Sequence, residues 1–146
     1  MSEEPIGTSE DIVLLVKNSC EMLVPSTEHS AGIDLPAAAF AVVAFGHVTI
    51  VDTGVYVNMP SNFYGMVCSR SGLAARHGVM VVNAPGIIDA DYKDTIKVLL
   101  TKVVDDPEPF MIAKGDRIAQ IVFAQRVKTS GSTSAQRIGG LGSTGV

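Results

Sequence analysis

The feature that most constrains the fold is a series of short segments, rich in valine and isoleucine, that recurs along most of the chain. Glycine, proline, asparagine and aspartate separate these segments and favour turns between them. The segments, each four to eight residues long, lie at residues 11–16, 48–51, 54–57, 64–67, 79–82, 96–103 and 118–123. Only residues 71–77 have helical character, enough for about two turns. The pattern predicts an all-β protein built as a sandwich, barrel or jelly roll.

Length and composition indicate one globular domain. The chain has 146 residues, 47% hydrophobic and 18% charged, which is enough to bury a core and too apolar for a disordered chain. No apolar run is long enough to span a bilayer, and the N-terminus lacks the basic and apolar regions of a signal peptide. The two cysteines and three histidines have no metal-ligand spacing. We expect an intracellular, soluble protein with no membrane partner, and the sequence does not distinguish cytoplasm from nucleus.

Charge is distributed unevenly along the chain. Residues 1–113 carry 6 basic and 14 acidic side chains, whereas residues 114–146 carry 5 basic side chains and one acidic one. The net charge of −4 argues against a surface that coats nucleic acid. A basic C-terminal quarter on an acidic body suits a small, highly charged anion, but it would serve solubility equally well. Charge alone leaves both interpretations open.

The C-terminal end differs in composition from the rest. Residues 129–135 are small and polar, and residues 137–145 are rich in glycine. We therefore predict a β domain over residues 1–128 and a flexible C-terminal arm over residues 129–146. The arm is no Walker loop, because no Gly-Lys-Ser/Thr follows its glycines. Its backbone N–H groups could still approach an oxygen anion closely and order over a ligand.

Five segments carry side chains suited to binding or chemistry. Taken singly, each has a structural explanation, such as a capped turn, a surface ion pair or a satisfied backbone group. One of them starts the predicted helix, where free N–H groups and the helix dipole favour a phosphate. Another is predicted to be a β-hairpin with two acids and a tyrosine, and a third is a turn that enters a strand. In chain order they are residues 31–35 (AGIDL), 69–74 (SRSGLA), 83–92 (NAPGIIDADY), 115–120 (GDRIAQ) and 137–145 (RIGGLGSTG).

Together, and in this order, the segments resemble the five motifs of the homotrimeric dUTP diphosphatase (dUTPase) family. The resemblance covers residues 31–145 and implies a jelly-roll-like β-barrel. It also implies an enzyme that hydrolyses dUTP to dUMP and pyrophosphate by in-line attack of water on the α-phosphorus. Such an enzyme limits uracil incorporation into DNA and supplies dUMP. The family places three active sites at subunit interfaces, each with residues from two subunits and closed by the arm of the third.

The resemblance also implies roles for single residues. Asp89 matches the acid that orients and deprotonates the attacking water, a role open to a carboxylate beside a magnesium triphosphate. Tyr92 matches the ring beneath deoxyribose that excludes a 2′-OH. Asn83, with the neighbouring backbone, matches the group that reads uracil. Two further matches to substrate-binding positions in this segment are Gly86 and Ile88.

The remaining matches concern the phosphates and the metal. The resemblance implies that Mg²⁺ is held mainly by phosphate oxygens, with Asp34 as indirect support, which agrees with the lack of a dedicated ligand cluster. Gln120 matches the amide at the α/β end of the triphosphate. The positions that match the second motif's phosphate grip are Arg70, Ser71 and Gly72. The positions that match the arm are Arg137, Leu141, Gly142, Ser143 and Thr144, of which Arg137, Ser143 and Thr144 match the γ-phosphate clamp.

The sequence departs from the family pattern at several positions. Leu141 stands where an aromatic residue usually stacks on the uracil, and Ser69 replaces a usual proline. Lys93 and Asp94 stand where Arg-Gly or a similar pair is common, and Pro36 where a bulkier residue is frequent. Two alternatives remain: a dCTP deaminase, which shares the fold, and a non-catalytic dUTPase-like module for nucleotide binding or signalling. Pyrophosphate release from dUTP separates both from a dUTPase.

Overall fold

The computed structural model describes residues 11–131 and 133–141. Within this part of the chain, antiparallel strands predominate and a single short helix occurs. In chain order the elements are β1 (Val13–Val16), β2 (Ile33–Pro36), β3 (Ala41–Val43), β4 (Thr49–Asp52), β5 (Val55–Asn58), β6 (Phe63–Cys68), α1 (Ser71–His77), β7 (Val79–Val81), β8 (Gly86–Ile88), β9 (Lys97–Lys102), β10 (Phe110–Ile112) and β11 (Arg117–Gln125). The all-β, jelly-roll-like class predicted from the sequence is confirmed.

The strands form four small sheets. Their orders are β1-β5, β10-β3, β2-β11-β6-β8 and β4-β9-β7, and every neighbouring pair is antiparallel. Strand β11 is the longest and pairs with β2 on one side and β6 on the other. A register shift between Arg117 and Ala119 marks its entry into the sheet. The four-stranded sheet therefore contains parts of three of the motif segments, in β2, β8 and β11.

The core lies between the sheets and consists of aliphatic side chains at alternate strand positions. In β9, for example, Val98 and Leu100 are fully buried while Leu99 between them is partly exposed. Alternation of this kind places one face of each strand in the core. The largest fully buried side chains include Leu14, Leu35, Ile96, Leu100, Ile112, Ile118 and Ile121. Branched aliphatic residues account for both the strand propensity and the packing.

The helix prediction matches the structure, and one strand prediction does not. Helix α1 covers residues 71–77 as predicted, and Gly78 ends it in the left-handed conformation. The predicted hairpin over residues 83–92 is wrong. Strand β7 before this segment pairs with β9, and β8 within it pairs with β6. The segment therefore crosses from one sheet to another, which no local turn signal indicates.

The end of the described chain has no regular structure. Strand β11 ends at Gln125, and residues 126–131 and 133–141 contain neither helix nor strand. In the part of the chain that the structure describes, no helix has the length and apolar character to cross a membrane.

Thr53 carries a buried polar link between two sheets, and its removal should destabilise the fold. Its hydroxyl donates to the Ile96 carbonyl (2.8 Å) and accepts from the Val55 N–H (3.1 Å) at 2% exposure. We expect Thr53→Val to lower the free energy of unfolding by about 1–3 kcal/mol, because a buried N–H loses its acceptor. Thr49→Val is the matched control, since its hydroxyl bonds to the Val42 carbonyl at an exposed site where water can replace it. Urea denaturation at equal subunit concentration measures both, and equal losses would contradict the assignment.

Candidate active site

A cavity of about 260 Å³ opens between strands β7, β8 and β9 and the C-terminal segment. Its walls combine aliphatic side chains with a few polar and charged groups, which is typical of a small-molecule site. The lining residues are Val67, Val81, Asn83, Gly86, Ile87, Ile88, Asp89, Tyr92, Lys97, Leu99, Arg137, Gly140 and Leu141. The cavity thus gathers seven of the residues singled out from the sequence.

Asn83 and Gly86 form the wall where the chain passes from one sheet to the other. A Cβ atom at Gly86 would come within 3.2 Å of Asn83 Nδ2, which is tight for a real contact. Glycine therefore lets the Asn83 amide lie against the start of β8. Ile88, two residues further along the strand, is 8% exposed and ties this wall to the core. The exposed amide of Asn83 therefore lies beside the backbone of β8, where it can offer hydrogen-bonding groups to a ligand in the cavity.

Tyr92 forms a second wall and is largely buried. Its hydroxyl donates to the Thr95 carbonyl at 2.9 Å, and the residue is 8% exposed. Burial raises the pKa of Tyr92 above its usual value, and the carboxylates of Asp94 and Asp52 raise it further. The phenol therefore stays neutral near pH 7. Its bond to the backbone fixes the ring, which can act as a flat apolar surface.

Asp89 lies at the rim of the cavity and faces the C-terminal segment. Arg137 contacts Asp89 Oδ2 through Nη2 and Asp91 Oδ1 through Nε, the latter at 2.9 Å. The guanidinium carbon also lies 5.9 Å from the centre of the Tyr92 ring, within cation–π range. The hydrogen bond to Asp91, together with the negative charges of Asp91 and Asp89, raises the pKa of the Arg137 guanidinium above its usual value. A basic residue of the arm is thus docked on two acids of the body.

A second polar group lies on the four-stranded sheet, around Asp34. Arg70 Nε is 3.5 Å from Asp34 Oδ1, and Arg117 Nη1 is 3.5 Å from Asp34 Oδ2. Arg70 Nη1 also donates to the Arg117 carbonyl at 2.9 Å. One carboxylate therefore orients two guanidinium groups, each of which keeps donors for another anion.

Gln120 and the start of helix α1 belong to this second group, which we call the Asp34 group. Gln120 Nε2 donates to the Ser69 carbonyl at 3.0 Å, and Gln120 pairs with Asp34 in β2 and with Cys68 in β6. Arg70 is extended (φ −90°, ψ 129°) and directly precedes the helix, whose first two residues are Ser71 and Gly72. The first, second and fourth motif segments therefore converge on one region of the sheet near Asp34.

The cavity and the Asp34 group are separate within one chain. Asp34 lies in β2, and the nearest strand of this sheet that lines the cavity is β6, through Val67, so two interstrand spacings, or about 10 Å, separate the two strands. Arg70, Ser71, Gly72, Gln120 and Asp34 do not line the cavity. Gly142, Ser143 and Thr144 lie outside the described residues.

Two charged residues near these groups received no role from the sequence. Lys97 lines the cavity; its Nζ lies 3.6 Å from Asp52 Oδ2 and 3.5 Å from Asp94 Oδ1 and donates to Thr95 Oγ1 at 2.6 Å. Arg117 shares Asp34 with Arg70. Lys97 could have been singled out from the sequence, because a lysine is unusual at the start of a strand as apolar as β9. Arg117 could have been singled out because it lies inside the fourth motif segment.

The described residues hold no group of three or more His, Cys, Asp or Glu side chains arranged to bind a metal ion. The carboxylates of the two polar groups are instead paired with arginines: Asp34 with Arg70 and Arg117, and Asp89 and Asp91 with Arg137. A hard cation at this site would therefore need ligands from a bound anion as well.

Fold and site together define an all-β protein with an acid-rimmed cavity covered by a basic C-terminal segment. A family model described as dUTPase matches residues 18–145. The chain belongs to the dUTPase family.

Similar proteins carry the same description. A deoxyuridine 5′-triphosphate nucleotidohydrolase of Corynebacterium glutamicum is 49% identical over 114 residues, which cover 76% of this chain and 75% of the relative. The enzyme of that name from Rickettsia felis is 43% identical over 129 residues, or 83% and 86% of the two chains.

Solved structures of dUTPases share the fold. The Streptococcus mutans dUTPase superposes with a TM-score of 0.69 at 26% identity, covering 75% of this chain and 89% of its own. A mutant of the dUTPase from phage phi11 of S. aureus gives 0.73 at 18% identity, covering 88% and 99%. The second likeness concerns the fold alone, and that protein is described as coordinating a structural Mg(II) ion.

The docking of Arg137 should protect the chain from trypsin at that residue. Trypsin must draw the arginine into its own pocket, so the contacts to Asp89 and Asp91 have to break first. We expect cleavage after Arg137 to be slower than after exposed Lys128, and Asp91→Asn to accelerate it by up to about fivefold, the worth of an exposed ion pair. Mass spectrometry of timed digests gives both rates, with the Lys128 cut as internal control. Equal acceleration at both sites would contradict docking through Asp91.

Proposed function

We propose that this protein hydrolyses dUTP to dUMP and pyrophosphate, by attack of water on the α-phosphorus. The observation that carries the proposal is the position of Asp89, a carboxylate at the rim of a cavity lined by Asn83 and Tyr92. A nucleoside in this cavity would leave its 5′ side at the acidic rim. The reaction limits uracil incorporation into DNA and supplies dUMP for nucleotide metabolism.

Recognition of the nucleoside falls to the cavity walls. We assign uracil to Asn83 and the backbone of Gly86 and Ile88, because an amide beside fixed backbone can match the donors and acceptors of a base edge. Tyr92 would lie under the deoxyribose, where its fixed ring leaves no space for a 2′-OH. Leu141 lines the same cavity and is 56% exposed. It would give the base an apolar contact in place of aromatic stacking.

Asp89 would act on the attacking water. It would accept the water's proton and orient the oxygen in line with the leaving pyrophosphate. Because Arg137 occupies Asp89 in the structure, the arginine would have to move for the carboxylate to take this role. A triphosphate offers the guanidinium a stronger, bidentate partner. Substrate binding would thus release the base and engage the arm together.

The phosphates would be held by the Asp34 group. Arg70, Ser71 and Gly72 would grip the chain of phosphates, and the Gln120 amide would contact the α/β end. Asp34 pairs with Arg70 through Nε, so the guanidinium keeps further donors for oxygen anions. Arg137 and the arm residues Gly142, Ser143 and Thr144 would hold the γ-phosphate.

A magnesium ion bound mainly by the substrate's phosphate oxygens fits these residues. The carboxylates already pair with arginines, and Mg²⁺ usually keeps several waters and takes only one or two protein carboxylates. Asp34 would support the ion indirectly, through water. When bound, the ion would neutralise negative charge on the phosphates.

We propose a homotrimer whose active sites are shared between subunits. The lining of the cavity supports this, since it contains the residues assigned to the nucleoside and none of those assigned to the phosphates in the Asp34 group. In a trimer, the cavity of one subunit would face the Asp34 group of its neighbour. Residues 1–128 would form the body, and the arm, residues 129–146, would close over a site. Arg137, which docks on its own subunit here, would meet the equivalent acids across the interface.

A nucleotide panel tests the activity, with Asp89→Asn as the matched variant. We expect the wild type, with magnesium, to release pyrophosphate from dUTP and not from UTP, dTTP or dCTP. Asp89→Asn should lower kcat by about a hundredfold or more, because an amide cannot take the proton, and change KM by less than about tenfold. Ammonia from dCTP would instead indicate a deaminase, and binding without turnover a non-catalytic module. A variant that keeps more than about a tenth of the wild-type kcat would remove Asp89 from the role.

Mixed trimers test whether the sites are shared. Arg70→Ala and Asp89→Asn should each be nearly inactive alone. If these two residues meet across an interface, refolding the two variants together should restore about a quarter of wild-type activity, because one site in four combines intact copies of both. If both residues of a site come from one chain, no mixture has an intact site. Variants refolded separately and then combined serve as the control, and sedimentation checks that the mixtures are trimeric.

A further inference from the structure

Gly32 lies directly before β2 and faces the side chain of Gln120 in β11. A Cβ atom at Gly32 would overlap Gln120 Oε1 and come within 3.1 Å of its Cδ. The φ angle of Gly32 lies outside the left-handed region, so its backbone would accept an ordinary residue. Glycine is therefore required at position 32 because a side chain would occupy the space of the Gln120 amide, and not because of the backbone conformation.

The space that Gly32 leaves holds one end of an amide whose other end is bonded. Gln120 Nε2 donates to the Ser69 carbonyl at 3.0 Å, one residue before Arg70. The Oε1 end fills the gap above Gly32. The position of the amide thus depends on two features: the hydrogen bond of Nε2 to Ser69, and the space for Oε1 that exists because Gly32 has no side chain. Gln120 pairs across the strands with Asp34, the carboxylate that contacts both Arg70 and Arg117.

We infer that Gly32 is a positioning residue, which sets the Gln120 amide for contact with the substrate's phosphates. The inference rests on the proposed role of Gln120 and adds the reason for glycine in the first motif segment. The atom that a Cβ would displace is the end of a flexible side chain. A methyl group at Gly32 should therefore move the amide and leave the fold nearly intact. Stability and activity should separate, because only activity depends on where the amide lies.

A double-mutant cycle of Gly32→Ala and Gln120→Ala tests the inference. We expect Gly32→Ala to lower kcat/KM for dUTP by about tenfold and Gln120→Ala by at least as much, since each removes one oriented polar contact. In the Gln120→Ala background, Gly32→Ala should change kcat/KM by less than about twofold, because the side chain it displaces is gone. The Gln120→Ala background is thus the matched control for the added methyl group.

The melting temperature gives a second, independent readout. We expect Gly32→Ala alone to melt close to the wild type. If the Gly32→Ala single variant misfolds, the double variant Gly32→Ala, Gln120→Ala should still melt at the temperature of Gln120→Ala. The double variant lacks the Gln120 amide that the added Cβ atom would overlap. Equal losses of kcat/KM in both backgrounds, or an unchanged Gly32→Ala enzyme, would overturn the inference while leaving the activity intact. A wild type that does not hydrolyse dUTP would overturn the proposed function itself.

Discussion

The pairing of β11 with both β2 and β6 is the constraint on which both polar groups of the site depend. It sets Gln120 between Asp34 in β2 and Cys68 in β6. The Gln120 amide and the Asp34 carboxylate therefore lie in one row across the sheet with Cys68, two residues before Arg70. Strand β6 also carries β8 on its far side, which fixes the wall of the cavity. A shift of one residue in β11 would turn Gln120 to the other face of the sheet and remove it from Asp34 and Ser69.

Ion pairs between carboxylates and arginines orient the charged side chains of the site. Three acids of the two polar groups are paired with arginines: Asp34 with Arg70 and Arg117, and Asp89 and Asp91 with Arg137. These pairs are partly exposed, so each one is worth little and is weakened by salt. Pairs of this strength orient the guanidinium groups and, under the proposed function, would exchange their carboxylates for the substrate's phosphates. Of the five basic residues in the C-terminal quarter of the sequence, Arg137 pairs with the acidic rim of the cavity and Arg117 pairs with Asp34.

Several features were predictable because their cause is local. The strands with clear valine and isoleucine runs, and helix α1, follow from propensity and from the glycine and proline between them. Strands β2, β3 and β10 lie outside the seven predicted segments, because they acquire their structure from partners distant in the chain. The same dependence on distant partners explains the error over residues 83–92. Its turn signals are real, but β7 and β8 pair with different strands.

The sequence by itself determined the all-β class, the order of the five segments and the chemical type of each candidate side chain, since these depend on residue identity and spacing. Only the tertiary structure decided which of those side chains meet. It brings Asn83, Asp89, Tyr92 and Arg137 around one cavity and leaves the Asp34 group outside the lining of that cavity. It also revealed the contacts of Lys97 and Arg117 and the space beside Gly32. The physical reason is that long-range strand pairing sets these distances, and register and sheet order are properties of pairs of segments that neither segment carries alone.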